Sequence, residues 1–356
     1  MATYKVGVIG AGFTAEQYHI PAWNQIDKCK VLAVCDVNEN RLGSIQKKFQ
    51  IKDAYVDYKD MLADGGLDII TVATPSYCHY EQIINSLNRG MHVVVEKPMA
   101  LSYGECIDAI KVSGMNHRKL MCLQQNRFKK STIKLQEIIS DGKLGEIYYA
   151  KATSVRSRGV PAAGHFTFES ARGGGPLYDS GAHIIDIAWY LMGKPRLKSV
   201  VASSWNKLAA SNTITLGDRI INSNNYLCED MVAAHLTFVN GSVLSIEISY
   251  LANMPFVKKS ECLFFGTSGG AYWPDAELYT NHGDKVVTRK LDVSTQYSLG
   301  AEMFQSFVNS IARDEEVAIA PHDSAEVIGI IQRIHEACSC SRPISLSNLS
   351  DMGARI

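Results

Sequence analysis

The sequence predicts an α/β chain in two parts: a doubly wound parallel sheet over residues 1–123, then an α+β domain with a mostly antiparallel sheet over residues 124–356. Three observations predict it. The chain has 356 residues, more than a single hydrophobic core usually organises. From residue 4 to about 123, short β-branched runs alternate with longer amphipathic stretches, the order of a parallel sheet with helices on both faces. Beyond about residue 124 the runs become apolar–polar alternations broken by turn signals such as Asn240-Gly241, the mark of antiparallel hairpins.

Each element follows from its local pattern. Val6–Ile9, Val31–Cys35, Ile69–Ala73, His92–Val95 and Leu120–Leu123 are near-continuous apolar runs, as strands covered on both sides must be, and the segments between them have helical periodicity. In the second part, helical signals at 131–140 and 178–192 precede three alternating runs, Tyr226–Phe238, Ser242–Tyr250 and Val257–Phe265. Two helices close the chain, one near 300–312 and one from Asp323 to about Ser339, with Asp323 or Ser324 as N-cap and Pro343 as stop. In such an arrangement ligands lie at the carboxyl ends of the parallel strands.

Composition removes several function classes. Lysine plus arginine number 36 and aspartate plus glutamate 36, a formal net charge of zero, so no basic excess is available for nucleic acid. Hydrophobic residues at 46% and charged residues at 20% describe a chain that folds throughout. No run approaches the roughly 18 apolar residues of a membrane span, and the N-terminus lacks the basic flank and cleavage site of a secretory signal. Nine cysteines, an odd number at scattered positions, argue for reduced thiols in a cytoplasm. Cys338-Ser339-Cys340 has no partner pair at zinc-binding spacing, and no metal is expected.

Chemistry enters at three places. Gly10-Ala11-Gly12-Phe13-Thr14-Ala15 has dinucleotide-fingerprint spacing, the first glycine for the turn, the second for close approach of a pyrophosphate, Ala15 for helix packing. It follows a strand and opens a helix, so helix-terminal amides face the phosphates. The next strand ends in Asp36, 24 positions after Gly12. A carboxylate there accepts from both adenosine ribose hydroxyls and repels a 2′-phosphate, which favours NAD over NADP. Arg41 is placed to fold back on it, and the plainer role for Asp36 is a helix cap. The strand Val93–Val95 then delivers Glu96-Lys97-Pro98 to the same sheet edge, with Pro98 keeping Lys97 out of the helical region. Taken alone, a lysine is more often a solvated surface charge; the position of Lys97 after a buried strand of a nucleotide domain favours a functional role.

The third place is Gly173-Gly174-Gly175-Pro176-Leu177-Tyr178-Asp179-Ser180-Gly181-Ala182-His183. A glycine loop feeds a helix on which Asp179 and His183 stand four apart on one face, with Asp186 three further. Gly181 between them costs about 1 kcal/mol in a helix interior, which implies close approach by a ligand or another backbone. The plain alternative is a core histidine beside a surface acid.

In this order and at these separations, the three motifs resemble the glucose-fructose oxidoreductase and inositol dehydrogenase family (Gfo/Idh/MocA) over essentially the whole chain. The resemblance implies an N-terminal Rossmann domain for a nicotinamide cofactor and a C-terminal domain whose large open sheet serves substrate binding and dimer or tetramer contacts. It implies Lys97 as the catalytic lysine, His183 as general acid/base and Asp179 as the acid orienting substrate and histidine. With Gly10, Gly12, Phe13, Thr14, Asp36 and Glu96, the loop residues Thr74, Pro75 and His79 fall on the cofactor side. Gln125-Asn126-Arg127-Phe128 resembles a segment near nicotinamide and substrate, which puts Asn126 and Arg127 with Tyr178 and Arg156 among the substrate contacts; Arg158, His165 and Trp205 are weaker candidates.

The reaction implied is hydride transfer between NAD and a secondary hydroxyl or ketone of a sugar, glycoside, sugar derivative or cyclitol. Histidine suits the hydroxyl proton because its ordinary pKa of about 6.5 lies near working pH, and a lysine ammonium stabilises developing alkoxide charge. The two roles are exchangeable on sequence grounds. Two other readings stay open: an NAD-assisted glycosidase or lyase working by transient oxidation and elimination, and a non-catalytic cofactor-binding regulator.

Overall fold

The structure, a computed structural model, describes residues 3–160, 172–211, 214–216, 219–221, 226–293, 299–340 and 342–346. The chain divides into two units, residues 1–125 with 296–326 and residues 126–295 with 327–356.

In the first unit, β1 (Tyr4–Ile9), β2 (Cys29–Cys35), β3 (Asp53–Tyr55), β4 (Ile69–Val72), β5 (His92–Glu96) and β6 (Leu120–Leu123) form one sheet in the order β3-β2-β1-β4-β5-β6. Every pairing is parallel. The order reverses between β1 and β4, the topological switch point where a doubly wound sheet opens a crevice at its carboxyl edge. Val6, Val8, Ile69, Ile70 and Val93–Val95 have no exposed surface, which is why these runs carry no polar alternation. β3 is a three-residue edge strand with no apolar run behind its Asp-Ala-Tyr sequence, and only its pairing to β2 makes it a strand.

Three helices of this unit, Glu39–Phe49, Tyr58–Ala63 and Tyr103–Met115, start where side chains satisfy their first amides. Asn38 accepts from Arg41 N, Asp57 from Lys59 N, and Ser102 with Glu105 closes a reciprocal capping box. The segment 299–313, an amphipathic helix, belongs here: Phe304 stacks on Trp23 at 4.3 Å and 6°. Trp23 in turn donates to Thr71 Oγ1 at 2.8 Å, so a buried indole N–H is satisfied on β4.

The second unit is a nine-stranded sheet in the order β16-β15-β14-β13-β7-β12-β11-β8-β17. Its members are β7 (Ile147–Arg156), β8 (Leu197–Trp205), β11 (Met231–Phe238), β12 (Val243–Ser249), β13 (Lys258–Gly266), β14 (Gly269–Trp273), β15 (Glu277–His282), β16 (Lys285–Lys290) and β17 (Ile344–Ser345). A separate short hairpin pairs β9 (Ile214–Leu216) with β10 (Arg219–Ile221). The large sheet is mixed: β7 and β12 pair parallel at its centre, and the remaining pairs are antiparallel. Alternate residues Ala150 and Ala152, Val232 and Leu236, and Ile246 and Ile248 are buried, and the helix 182–191 packs against β7, β12 and β13.

Three predicted boundaries shift. The run Tyr226–Phe238 is extended only from Met231, because Asp230 instead turns its Oδ2 onto the amides of Lys207, Leu208 and Ala209 at 2.8, 2.6 and 3.1 Å. The closing helix begins at Pro321, two residues before the expected cap, with proline in the first helical position where its missing N–H costs nothing. The helix expected over 178–192 opens with a π turn, Leu177–Gly181, before its α-helical part, Ala182–Leu191.

Candidate functional site

The glycine-rich loop leaves β1 at the switch point. Gly10 has φ +95°, and a Cβ there would lie 2.6 Å from the Ala73 carbonyl, so the fold itself demands glycine. Gly12 is different: nothing stands within 4 Å of a Cβ built on it. No atom of the described residues requires the second glycine, which leaves this backbone open to close approach of a pyrophosphate, and on this observation the loop fits a dinucleotide. Phe13 and Tyr18 are 62% and 57% exposed with rings edge to face at 6.0 Å. Thr14 leads into a π-helical turn, Ala15–His19; single π turns are frequent at functional sites.

Asp36 directly follows β2 and faces this loop. Its Oδ2 accepts from Ala11 N at 2.9 Å and its Oδ1 from Asn38 N at 2.9 Å, while Arg41 Nη1 lies 3.4 Å from Oδ2. The carboxylate thus braces the glycine loop, Asn38 rather than Asp36 caps the following helix, and Arg41 does fold back.

At the end of β4, the Thr74 hydroxyl donates to Gln82 Oε1 at 2.6 Å, and Pro75 precedes a short turn, Ser76–Cys78. His79 is 1% exposed, with Nδ1 2.7 Å from the Pro98 carbonyl and Nε2 2.9 Å from the Thr74 carbonyl. Burial pushes its pKa down, opposed by those two acceptors and by Glu96. At the end of β5, Glu96 Oε1 is 2.7 Å from His19 Nε2 and its Oε2 accepts from Lys97 N at 3.2 Å. Lys97 is half-buried, and the Lys97–Pro98 peptide is cis.

In the second unit, Gly175 has φ +93° and a Cβ there would strike Glu229 Oε1 at 2.7 Å. Glu229 accepts from Leu177 N at 3.2 Å, a carboxylate at a helix start. Gly181 sits against Ile248 of β12, whose Cδ1 would be 3.1 Å from an added Cβ. The close approach expected there from a ligand or another backbone is instead that of side chains, Ile248 and Leu177. Asp179 lies in the π turn and His183 in the α-helical part, both half-buried. Asp179 Oδ2 accepts from the Tyr250 hydroxyl at 2.8 Å and is 4.0 Å from Arg156 Nη1, whose guanidinium lies 5.5 Å from the Tyr250 ring centre. Tyr250 is 1% exposed, and burial first, then Asp179, holds its pKa well above the usual phenol range; its hydroxyl is the donor to the acid.

The other sequence-predicted residues scatter. Tyr178 is 7% exposed and stacks on His335 at 5.4 Å. Arg127 is buried in an ion pair with Asp186, its Nη2 2.6 Å from Oδ1 and its Nε 3.0 Å from Oδ2, over the Tyr190 ring at 4.5 Å. Asn126 is half-buried, and its carbonyl accepts from the Thr132 hydroxyl. Arg158 bonds Asn253 Oδ1 at 3.0 Å, Trp205 is 40% exposed at the end of β8, and His165 lies outside the described residues. Sequence reasoning missed Tyr250, Glu229 and His19, which sit in no motif and are reached only through the fold. Among the described residues, no group of three or more histidine, cysteine or acidic side chains is arranged to hold a metal ion, and no helix is long and apolar enough to cross a membrane.

Comparison with known proteins decides the family. The model of the Gfo/Idh/MocA oxidoreductase family, NAD-binding Rossmann fold, matches residues 4–123, and that of the Gfo/Idh/MocA C-terminal domain matches residues 132–272. The chain belongs to this family. It is 29% identical to D-glucoside 3-dehydrogenase of Escherichia coli over 91% of this chain and 92% of that one. It is 27% identical to the NADP(+)-dependent scyllo-inositol 2-dehydrogenase of Bacillus subtilis over 54% and 53%. The fold matches WlbA dehydrogenase from Bordetella pertussis, solved with NADH and UDP-GlcNAcA, at a TM-score of 0.80 and 22% identity, covering 98% and 99% of the two chains. The Rossmann fold and the mostly antiparallel second sheet are those the sequence predicts; the parallel pairing of β7 with β12 is not.

Proposed function

We propose that this oxidoreductase moves hydride between NAD and a secondary hydroxyl or ketone of a sugar, glycoside, sugar derivative or cyclitol. One observation carries the reading. The chain joins an NAD-binding Rossmann domain, whose buried β5 ends in Glu96-Lys97-Pro98, to a helix presenting Asp179 and His183 with Asp179 held by Tyr250. Gly10, Gly12, Phe13, Thr14, Asp36, Thr74, Pro75, Glu96 and Lys97 form the cofactor side, with His79 behind them. When bound, NAD supplies the hydride acceptor.

The chain's own groups handle the proton and the charge. His183 takes the hydroxyl proton and becomes imidazolium. Lys97 donates to the same oxygen and stabilises its negative charge as the C–H bond breaks. Asp179, fixed by the Tyr250 hydroxyl, orients substrate and histidine. Asn126 and Arg156 contribute to the hold on a polyhydroxylated substrate, with Tyr178 in the π turn stacked on His335. Arg127 joins them through its pair with Asp186, which ties it to the helix 182–191.

The relatives are named as dehydrogenases of a glucoside and an inositol, which favours this reading over the eliminative and non-catalytic ones. The protein is further read as a cytoplasmic homodimer or homotetramer. Val201, Trp205 and Phe265, 52%, 40% and 39% exposed, leave apolar surface on the sheet, of the kind oligomers cover.

The test is a panel of glucosides, aldoses and inositols with NAD and NADP, followed at 340 nm with product analysis. The reading expects NADH accumulating in step with a keto product. Substrate consumed without net NADH supports elimination instead, and no absorbance change despite tight NADH binding supports a regulator.

A further inference from the structure

Two buried histidines flank the tripeptide that carries Lys97, and the chemistry above uses neither. His19 is 3% exposed in the π turn that follows the glycine-rich loop. Its Nε2 lies 2.7 Å from Glu96 Oε1. An ionised carboxylate only accepts, so the imidazole donates. The second oxygen of Glu96 accepts from the Lys97 amide at 3.2 Å. The residue before Lys97 is thus held at both carboxylate oxygens, one from the first helix and one from the backbone of Lys97 itself.

The residue after Lys97 is held from the other side. His79, 1% exposed, stands with Nδ1 2.7 Å from the Pro98 carbonyl and Nε2 2.9 Å from the Thr74 carbonyl. Carbonyls only accept, and a neutral ring carries one N–H, so it donates to one of the two at a time; the shorter contact falls on the residue adjoining Lys97. The ring also links the chain leaving β4 to the chain leaving β5. Neither histidine presents an edge to solvent, and both spend their donors on this loop or its neighbour. Buried polar groups so placed specify geometry more than they add stability.

We propose that His19 and His79 are positioning residues: they fix the backbone at Glu96 and Pro98 and thereby set where the Lys97 amine is delivered. The inference rests on the reading of Lys97 as the group that meets the developing alkoxide. Displacing a reacting group by about 1 Å commonly costs on the order of 10²-fold in rate, so the brace matters without touching substrate.

Side-chain amides give the test its resolution. Glutamine places its amide nitrogen near the position of imidazole Nε2, and asparagine near that of Nδ1. His19→Leu, His19→Gln, His79→Leu, His79→Asn and His79→Gln are compared as NADH-loaded full-length protein. Three readouts are taken: kcat and KM on the panel sugar turned over fastest, NADH affinity by fluorescence, and labelling of Lys97 by trace acetic anhydride. Labelling is scored by mass spectrometry against exposed Lys59 as internal reference.

The leucine variants are expected to lower kcat roughly 10–100-fold and shift the Lys97:Lys59 labelling ratio by about threefold or more, with NADH affinity within about threefold. His19→Gln and His79→Asn restore most of both effects. His79→Gln, which reaches only toward Thr74, does not. Unchanged labelling in the leucine variants, or amide variants as impaired as leucine, overturns the proposal. If a leucine variant does not fold, the contrast between His79→Asn and His79→Gln still decides it, and equal behaviour of those two refutes the role of His79. Wild-type turnover in Lys97→Met alongside the expected labelling shifts would retire the catalytic reading of Lys97 and leave the brace standing.

Discussion

Removing one half of the Arg127–Asp186 pair should be among the most damaging single changes in this chain. Their side chains are 5% and 1% exposed, and the guanidinium meets the carboxylate through Nε at 3.1 and 3.0 Å and through Nη2 at 2.6 Å. Arg127→Met leaves the Asp186 carboxylate buried without this cation, and breaking such a pair costs about 3–5 kcal/mol. At about 2–4 °C per kcal/mol for a unit of 150–250 residues, the midpoint should fall by about 6–20 °C. The double change Arg127→Met/Asp186→Leu removes both charges and should recover to within about 1 kcal/mol of wild type. Thermal melts at pH 7 followed by circular dichroism, with urea denaturation as a second measure, decide the matter. A single variant that melts within about 2 °C of wild type, or a double variant as unstable as either single, would refute the reasoning. A raised KM at normal stability would instead mark Arg127 as a substrate contact.

Three further outcomes follow from particular side chains. Gly12→Val should leave the melting point nearly unchanged and weaken NAD binding by roughly tenfold or more, since only the ligand claims that space. Gly10→Val should destabilise the fold itself; titration of NADH fluorescence beside a melt separates the two. Asp36→Ala removes the charge that opposes a 2′-phosphate and releases Arg41, so kcat/KM for NADP relative to NAD should rise roughly tenfold, about 1.4 kcal/mol, and an unchanged ratio would deny Asp36 that role. His92 accepts from Lys119 N through Nδ1 at 2.9 Å, and burial, then Arg118 and Lys119, pull its pKa from 6.5 to about 4. Its folded value lies below its unfolded one, so the unfolded chain binds the extra proton and stability is lost as pH falls from about 6.5 toward 4. Partial exposure limits the loss to on the order of 1 kcal/mol. His92→Asn keeps an acceptor and should flatten that slope in urea titrations at pH 7, 5.5 and 4.5.

What the sequence made legible is what local pattern encodes. The buried runs of β1, β4 and β5 announced themselves by lacking alternation, and Gly10, Gly12 and Asp36 by spacing along one βαβ unit. The four-residue step from Asp179 to His183 was legible as helix, but not the π turn, because nothing in Leu-Tyr-Asp-Ser-Gly distinguishes bonding to the fifth residue from bonding to the fourth. Contacts between distant segments were not legible. Tyr250 reaches Asp179 across 71 positions and His19 reaches Glu96 across 77, and no periodicity names such a partner. The parallel pairing of β7 with β12 was missed because parallel neighbours share no turn to mark them. The amphipathic segment 299–313 reveals that one face is buried, but only Phe304 against Trp23 reveals what covers it.

The central claim is that Lys97 and His183 serve one substrate oxygen, and a double-mutant cycle on single-turnover hydride transfer tests it most directly. Lys97→Met and His183→Ala should each slow the step by roughly 10²–10⁴-fold. If they act as a unit, the double variant should be slower than either single by far less than the product of the two losses. Losses that multiply in full, or wild-type rates in either single variant, would contradict the account.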